Sequence, residues 1–212
     1  MRFLTTLASC AVLVGCTSSS IPTNTGVYML LDTSGTYREE LQKAQQIIRY
    51  TLSRLDARDS FAVARIDTAS FSEKDIVAKT TFDDRPSMVN RQKRLFAEDI
   101  GVFVEEVKSS PYTDITGGLL QAVEYLNEKN TGIKTILIFS DLKEDLKEGY
   151  VRDISFELDG FSVIALNVTK LRSDNVDPRE YLTRLDDWQS KVEKFGGQWQ
   201  VINDLDGLEG LL

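Results

Sequence analysis

The chain has 212 residues, of which 42% are apolar and 27% charged, the composition of a folded globular protein with room for one well-buried domain. It carries 25 Lys and Arg against 33 Asp and Glu, for a net charge of -8, and so lacks the basic excess that nucleic acid binding requires. The absence of histidine excludes Ser-His-Asp and Cys-His hydrolases and histidine-bearing zinc sites.

The first segment has the pattern of an export signal. Arg2 precedes an apolar stretch at 3–14, which is too short to span a bilayer permanently, and a small residue then precedes Cys16. The run Leu13-Val14-Gly15-Cys16 resembles the lipobox of bacterial lipoproteins. This resemblance implies cleavage before Cys16 and acylation of that cysteine. The alternative is a cleaved, soluble export signal that happens to contain a cysteine.

The residues that follow Cys16 are small and polar and have no helical or strand periodicity, which predicts a flexible tether. The predicted organisation is therefore a signal peptide at 1–15, a lipidated tether at 16–25 and one domain at 26–212. In lipoproteins of bacteria with two membranes, an aspartate after the lipidated cysteine marks retention in the inner membrane. Thr17 occupies that place here, so the resemblance implies a cell-envelope protein of the outer membrane.

Strand-like and helix-like patterns alternate through the domain. Short apolar runs predict strands at 26–31, 61–66, 76–82, 135–139, 162–168 and 198–202. Apolar residues at helical spacing predict helices at 41–55, after Pro86, at 119–126 and from Asp177 to about Phe195. Strands that alternate with helices predict an α/β fold, a three-layer doubly wound, mostly parallel sheet with helices on both faces.

The helical spacing also predicts which side chains face the core in the two longest helices. In the helix after Pro86 they are Leu95, Phe96, Phe103, Val104 and Val107. In the last helix they are Leu182, Leu185, Trp188, Val192 and Phe195.

Two of the buried strands lead directly to an aspartate. Asp32 follows the first apolar run and Asp141 follows the run at 135–139, so both are expected at the carboxyl edge of the sheet, where ligands bind in such folds. Ser34 and Thr36 alternate with Asp32 around a glycine, so an extended loop would turn three oxygens to one side. A set of oxygens with few charges suits Mg²⁺, Mn²⁺ or Ca²⁺.

These residues resemble the metal-ion-dependent adhesion site of the von Willebrand factor A family. The stretch DTSGT is similar to the family's Asp-x-Ser-x-Ser motif, with Thr36 where Ser is usual. TDITGGLLQA resembles its threonine loop. ILIFSDLKED resembles its later strand and acid, although the family often has glycine where this chain has Leu142. The resemblance covers approximately 26–202.

The resemblance implies a divalent metal site, with Mg²⁺ as the expected ion and Mn²⁺ or Ca²⁺ as alternatives. The implied ligands are Asp32, Ser34, Thr36, Thr113 and Asp141. Thr116 is the alternative to Thr113, since local gaps would shift the register. A Glu or Asp of a protein partner would complete the metal shell, and no enzymatic activity is implied.

Two other interpretations use the same residues. Haloacid-dehalogenase-type phosphatases place a nucleophilic Asp after the first strand and a Ser or Thr after a later one, which Asp32 and Ser140 would match. That family also needs an acid two positions after the nucleophile, where Ser34 cannot protonate a leaving group. In the second interpretation, the same side chains only cap strands and helices. The domain would then be a metal-independent docking surface of the envelope.

Overall fold

The computed structural model describes residues 22–34, 40–67, 72–149, 155–171, 173–203 and 207. The predicted signal peptide, Cys16 and Thr36 lie outside these residues. The strands are β1 (Thr25–Leu31), β2 (Ser60–Arg65), β3 (Ile76–Thr81), β4 (Ile133–Phe139), β5 (Phe161–Leu166) and β6 (Gln198–Ile202). The helices are α1 (Leu41–Arg54), α2 (Pro86–Glu106), α3 (Ile115–Glu128) and α4 (Arg179–Lys194). None of the helices in the described ranges combines the length and apolarity needed to cross a bilayer.

The strands form one 6-stranded sheet in the order β3-β2-β1-β4-β5-β6. The neighbouring strands are parallel except for β2 and β3, which are antiparallel. β1 pairs with β2 on one side and with β4 on the other. Its central place explains why its sequence is apolar without alternation, since both faces of the strand are covered. The predicted mostly parallel α/β sheet is confirmed.

Helices cover both faces of this sheet. Val27, Met29 and Leu31 of β1 pack in a core with residues of α1 and α2. The alternate residues Tyr28 and Leu30 pack in a second core with residues of α3 and α4. The period of two along the strand therefore separates two cores, and the predicted three-layer arrangement is confirmed.

Two positions predicted to face the core are exposed. Leu95 in α2 is 44% exposed and Leu182 in α4 is 57% exposed. In α2 the buried stripe runs through Val89, Phe96 and Ile100, and Leu95 lies one residue, or about 100° around the helix, from Phe96. In α4 the residues that pack in the core are spaced alternately by four and three positions and begin at Tyr181 instead of Leu182. They are Tyr181, Leu185, Trp188, Val192 and Phe195.

The chain enters the sheet at the edge opposite the carboxyl ends of the strands. β1 begins at Thr25, the last residue of the predicted tether. The carbonyl of Asn24 accepts hydrogen bonds from the amides of Gly132 (3.0 Å) and Ile133 (3.2 Å), just before β4. Pro22 packs so closely against Gly132 that a Cβ atom at position 132 would collide with the Pro22 carbonyl oxygen. Contacts with the domain therefore extend back to Pro22.

Candidate metal centre

Asp32 lies one residue beyond the end of β1 and is 1% exposed. Its amide donates to the carbonyl of Phe139, the last residue of β4, at 3.0 Å. Oδ1 of its carboxylate accepts from the amide of Ser34 (2.8 Å) and lies 3.5 Å from Oγ1 of Thr113. Oδ2 accepts from the buried hydroxyl of Ser140 at 2.7 Å. Among the described residues, the donors to this carboxylate are thus neutral groups.

Asp141 is brought to the same edge by β4 and is 5% exposed. Its Oδ1 accepts from the amide of Lys143 at 2.9 Å, which fixes a tight turn after the strand. Its backbone carbonyl accepts from Nε of Arg184 in α4 at 3.3 Å. The backbone of Asp141 is therefore held from within its own loop and from the last helix.

Thr113 lies in the loop between α2 and α3 and is 3% exposed. Its amide and carbonyl both bond with the backbone of Asp145, each at 2.9 Å, so the loop is paired with the segment that follows β4. The next residue, Asp114, caps α3 by accepting from the amide of Gly117 at 2.7 Å, a favourable arrangement at a helix N-terminus. These contacts determine where the Thr113 hydroxyl lies.

Thr116 is directed to a different set of contacts. Its hydroxyl accepts from Nζ of Lys191 at 2.5 Å, and its amide donates to Oε1 of Glu144 at 2.7 Å. The structure therefore brings Asp32, Ser34 and Thr113 together, and it does not bring the Thr116 hydroxyl to the Asp32 carboxylate. Of the two other predicted ligands, Asp141 lies at the same edge of the sheet, where the charge of Asp32 acts on it, and Thr36 lies outside the described residues.

The two buried carboxylates influence each other. Burial raises the pKa of Asp32 above its usual range, and hydrogen bonds from Ser34, Ser140 and Thr113 partly offset the rise. Burial also raises the pKa of Asp141, and the negative charge of Asp32 raises it further. The hydrogen bond from the Lys143 amide and the positive charges of Arg184 and Lys143 offset part of this rise. Among the described residues, neither carboxylate forms an ion pair with a lysine or arginine side chain. Buried charges in proteins are normally paired or coordinate a metal.

The side-chain atoms beside Asp32 that could ligate a metal are oxygens. Within the part of the chain that the structure describes, no three acidic, cysteine or histidine side chains gather into a metal cluster. A cation here would therefore depend on the hydroxyls of Ser34 and Thr113 beside the two carboxylates. Hydroxyl and carboxylate oxygens are the ligands of hard divalent cations.

Sequence reasoning missed three features of this site. The sequence indicates a role for Ser140 only in the phosphatase interpretation, although its place between a buried strand and Asp141 is a signal for a hydroxyl at the strand end. Leu142 adopts a left-handed backbone with a φ of 66°, which a leucine gives no reason to expect. Arg184 and Trp188 contact the backbone of the Asp141 loop from α4, and the helical pattern gives no indication of these contacts.

Comparison with known proteins gives similarity at the level of structure. No family model and no curated protein sequence matches this chain. A solved von Willebrand factor type A structure from Catenulispora acidiphila is 13% identical, with a TM-score of 0.51 over 88% of this chain and 40% of that one. The pilus adhesin SpaC from Lactobacillus rhamnosus GG, in an open conformation, is 9% identical, with a TM-score of 0.55 over 89% of this chain and 29% of that one. This chain thus spans less than half the length of either protein, and at these identities the likeness concerns the fold alone.

Proposed function

The chain has the fold of a von Willebrand factor type A domain, and on this premise we propose that it binds a protein partner through a divalent cation. The proposed ligands are Asp32, Ser34, Thr36, Thr113 and Asp141. Mg²⁺ is the proposed ion, with Mn²⁺ and Ca²⁺ as alternatives. The proposed location is the cell envelope, at the outer membrane, with a lipid anchor on Cys16.

The observation that carries the metal proposal is the pair of buried carboxylates. Asp32 and Asp141 are 1% and 5% exposed, and the charge of Asp32 contributes to the raised pKa of Asp141. Like charges near a protein surface repel each other, more strongly as their separation falls. A divalent cation between them reverses the sign of this energy, so an arrangement that is costly without metal becomes favourable with it.

The neutral oxygens of the site fit the same role. Oγ1 of Thr113 is 3.5 Å from Oδ1 of Asp32, a separation at which a hydrogen bond is weak. The hydroxyl is therefore free to turn its oxygen to a cation. The shorter bond from Ser140 occupies Oδ2 of Asp32 and leaves other lone pairs of the carboxylate available, since a carboxylate offers about four acceptor sites.

The partner proposal follows from the coordination that Mg²⁺ requires. Mg²⁺ prefers about six oxygens in octahedral geometry and gives up its waters reluctantly. The protein ligands leave at least one position open, and in the resembled family a Glu or Asp of the partner fills it. One similar structure is that of a pilus adhesin, which supports a role in binding another protein.

A phosphatase role has less support, because Ser34 stands at the position where the phosphatase family requires an acid. We propose that the chain has no phosphomonoesterase activity. Turnover of a generic phosphomonoester with Mg²⁺ that disappeared in an Asp32→Asn variant would contradict this proposal.

Titration of the purified chain with Mg²⁺ and Mn²⁺ by calorimetry, with thermal denaturation in parallel, tests the metal proposal. Metal at about 100 times its Kd should stabilise the fold by about 2.7 kcal/mol, which raises the Tm by several degrees. Asp32→Ala should abolish both the binding heat and the rise in Tm. The metal-free variant should be about as stable as the metal-free wild type, because the lost repulsion offsets the lost hydrogen bonds.

Asp59→Ala is a matched control. Asp59 is also buried, at 8% exposure, and accepts from backbone amides of Thr25 and Asp56 at the opposite edge of the sheet. This variant should lower the Tm and keep the metal-induced rise. Wild-type protein that shows no binding heat and no rise at millimolar metal would leave the metal-independent docking surface as the better interpretation. Capture of an envelope partner with and without EDTA then separates metal-dependent from metal-independent binding.

A further inference from the structure

Helix α4 contacts two consecutive backbone carbonyls of the loop that carries Asp141. Nε of Arg184 donates to the carbonyl of Asp141 at 3.3 Å. Nε1 of Trp188 donates to the carbonyl of Leu142 at 2.9 Å. Residues four apart lie on the same face of a helix, so one face of α4 supplies both donors.

Leu142 occupies a backbone conformation that needs support. Its φ is 66°, in the left-handed region, which is unfavourable for a residue other than glycine. Its side chain is 2% exposed and packs in the core with Trp188. This packing and the indole hydrogen bond are the contacts that offset the cost.

The same peptide segment is linked to Asp32. The amide of Leu142 donates to Oγ of Ser140 at 3.0 Å, and the hydroxyl of Ser140 donates to Oδ2 of Asp32 at 2.7 Å. Since the Ser140 oxygen accepts from the Leu142 amide, its proton is available for Asp32. The two bonds that meet at the Ser140 hydroxyl form a hydrogen-bond chain, and such bonds strengthen and orient one another. The Leu142 carbonyl that accepts from the indole belongs to the next peptide group, so it is joined to this chain through the covalent backbone of Leu142. A continuous path therefore runs from the Trp188 indole through Leu142 and Ser140 to the Asp32 carboxylate.

We propose that Trp188 is a positioning residue of the candidate metal centre, which acts through Leu142 and Ser140 to fix the orientation of the Asp32 carboxylate. The role in metal binding rests on the proposed function. The orientation of the Asp32 carboxylate does not rest on the proposed function, because the contacts from Trp188 to Asp32 are made by protein groups only. A purely structural Trp188 would contribute packing to the core and nothing specific to Asp32.

Trp188→Phe in the full chain, purified in detergent, is the central test, because it keeps an aromatic ring and removes the indole N–H. The matched control is Trp199→Phe. Trp199 in β6 packs against the same core, and no hydrogen bond from its indole is found among the described residues. The two variants share the loss of ring volume, and only the first loses the contact with Leu142.

Two measurements are needed. Loss of one net hydrogen bond corresponds to about a threefold to tenfold change in an equilibrium constant, so Trp188→Phe should weaken Mg²⁺ binding by about that factor. In metal-free protein, hydrogen exchange of the Leu142 and Ser34 amides should accelerate by a similar factor, since these amides bond to Ser140 and Asp32. Trp199→Phe should change neither quantity. Equal affinity and equal exchange in both variants would overturn the proposal.

The two measurements separate this inference from the proposed function. If wild-type protein binds no Mg²⁺ but Trp188→Phe still accelerates exchange at both amides, the metal function fails and the positioning role stands. If Mg²⁺ binds and Trp188→Phe affects neither affinity nor exchange, the positioning role fails alone.

Ser140→Ala tests the same path from its other end and does not depend on the folding of the tryptophan variant. It should weaken Mg²⁺ binding and accelerate exchange at Ser34. The double variant with Trp188→Phe should lose little more than the larger single loss, because groups on one path are not independent. Fully additive losses would overturn the proposal.

Discussion

At the scale of single residues, the hydroxyls of Thr113, in the loop before α3, and Thr116, in α3, have different contacts. The Thr113 hydroxyl lies 3.5 Å from the Asp32 carboxylate, while the Thr116 hydroxyl accepts from Lys191. We expect Thr113→Val, which removes only the hydroxyl oxygen, to weaken Mg²⁺ binding by about tenfold or more, a loss of about 1.4 kcal/mol. Thr116→Val is the matched control and should bind Mg²⁺ nearly as the wild type does. Calorimetric titration decides the matter, and the opposite ranking would identify Thr116 as the ligand.

The pH dependence of stability reports the same carboxylates without any metal. Burial raises the pKa of Asp32 and Asp141 in the folded state, so between the unfolded and folded values the folded chain binds more protons. The free energy of unfolding of the metal-free chain should therefore contain a component that falls as pH rises through this window. Asp32→Asn removes one titrating group and the charge that acts on Asp141. Relative to wild type, this variant should gain stability as pH rises from about 4 to about 7.

Thermal denaturation in EDTA across this pH range measures the effect, and Asp174→Asn provides a control of opposite sign. Hydrogen bonds from Arg184 lower the pKa of Asp174, so its contribution is present at neutral pH and is lost as pH falls. Relative to wild type, Asp174→Asn should therefore become less stable as pH rises. Parallel curves for wild type and Asp32→Asn would show that Asp32 is not perturbed.

Some residues of the candidate site could be predicted from the sequence and others could not. The positions of Asp32 and Asp141 could be predicted, because the residue that follows a buried parallel strand lies at the carboxyl edge of the sheet. The choice between Thr113 and Thr116 could not, because it depends on where α3 begins and on the pairing of the loop with Asp145. The left-handed Leu142 is imposed by tertiary contacts against the preference of the residue.

At the scale of elements, periodicity predicted which segments form helices and strands but not how the strands are ordered. β1 is the first strand in sequence and is central in the sheet, a result of pairings between distant segments that no local pattern encodes. The exposed Leu95 and Leu182 have a similar cause. Helical spacing in the sequence places the core-facing residues of a helix only to within one position. The elements against which the helix packs determine which residue is buried.

The attachment of α4 to the carboxyl edge depends on a buried ion pair that periodicity could not indicate. Asp174 accepts from Nη1 and Nη2 of Arg184, both at 2.8 Å, and its side chain is 0% exposed. Asp174→Asn should lower the free energy of unfolding by about 3 kcal/mol, because it leaves Arg184 without its partner charge. Asp177→Asn is the matched control, since Asp177 forms a two-bond pair with Arg179 of the same helix that is exposed to solvent.

Denaturant unfolding of the two variants measures these effects. The exposed pair should contribute little, because solvent screens it. Equal losses in the two variants would show that burial of the Asp174 pair has no special importance for the position of α4.

At the scale of the whole molecule, the candidate site and the point where the described chain enters the sheet lie at opposite ends of β1. Asp32 follows the carboxyl end of β1, and Asn24 lies just before its amino end, where it bonds to the turn before β4. A seven-residue strand is about 20 Å long. A chain held at Cys16 by lipid would therefore present the candidate metal centre on the side away from the membrane, where the surface of a partner can reach it.

This orientation can be tested together with the anchor. Cys16→Ser should give a chain that no longer incorporates labelled fatty acid, and partitioning into detergent like that of the wild type would show that the lipobox interpretation is wrong.

In the acylated chain on vesicles, a fluorophore attached through Lys143→Cys would report the carboxyl edge. The same fluorophore attached through Asp159→Cys, in the exposed turn before β5, would report the opposite edge. Lipids that carry a quencher should reduce the fluorescence at position 159 more than that at position 143, because the short tether enters at the edge of position 159. Equal quenching at the two positions, in a chain that is acylated, would show that the domain has no preferred orientation on the membrane.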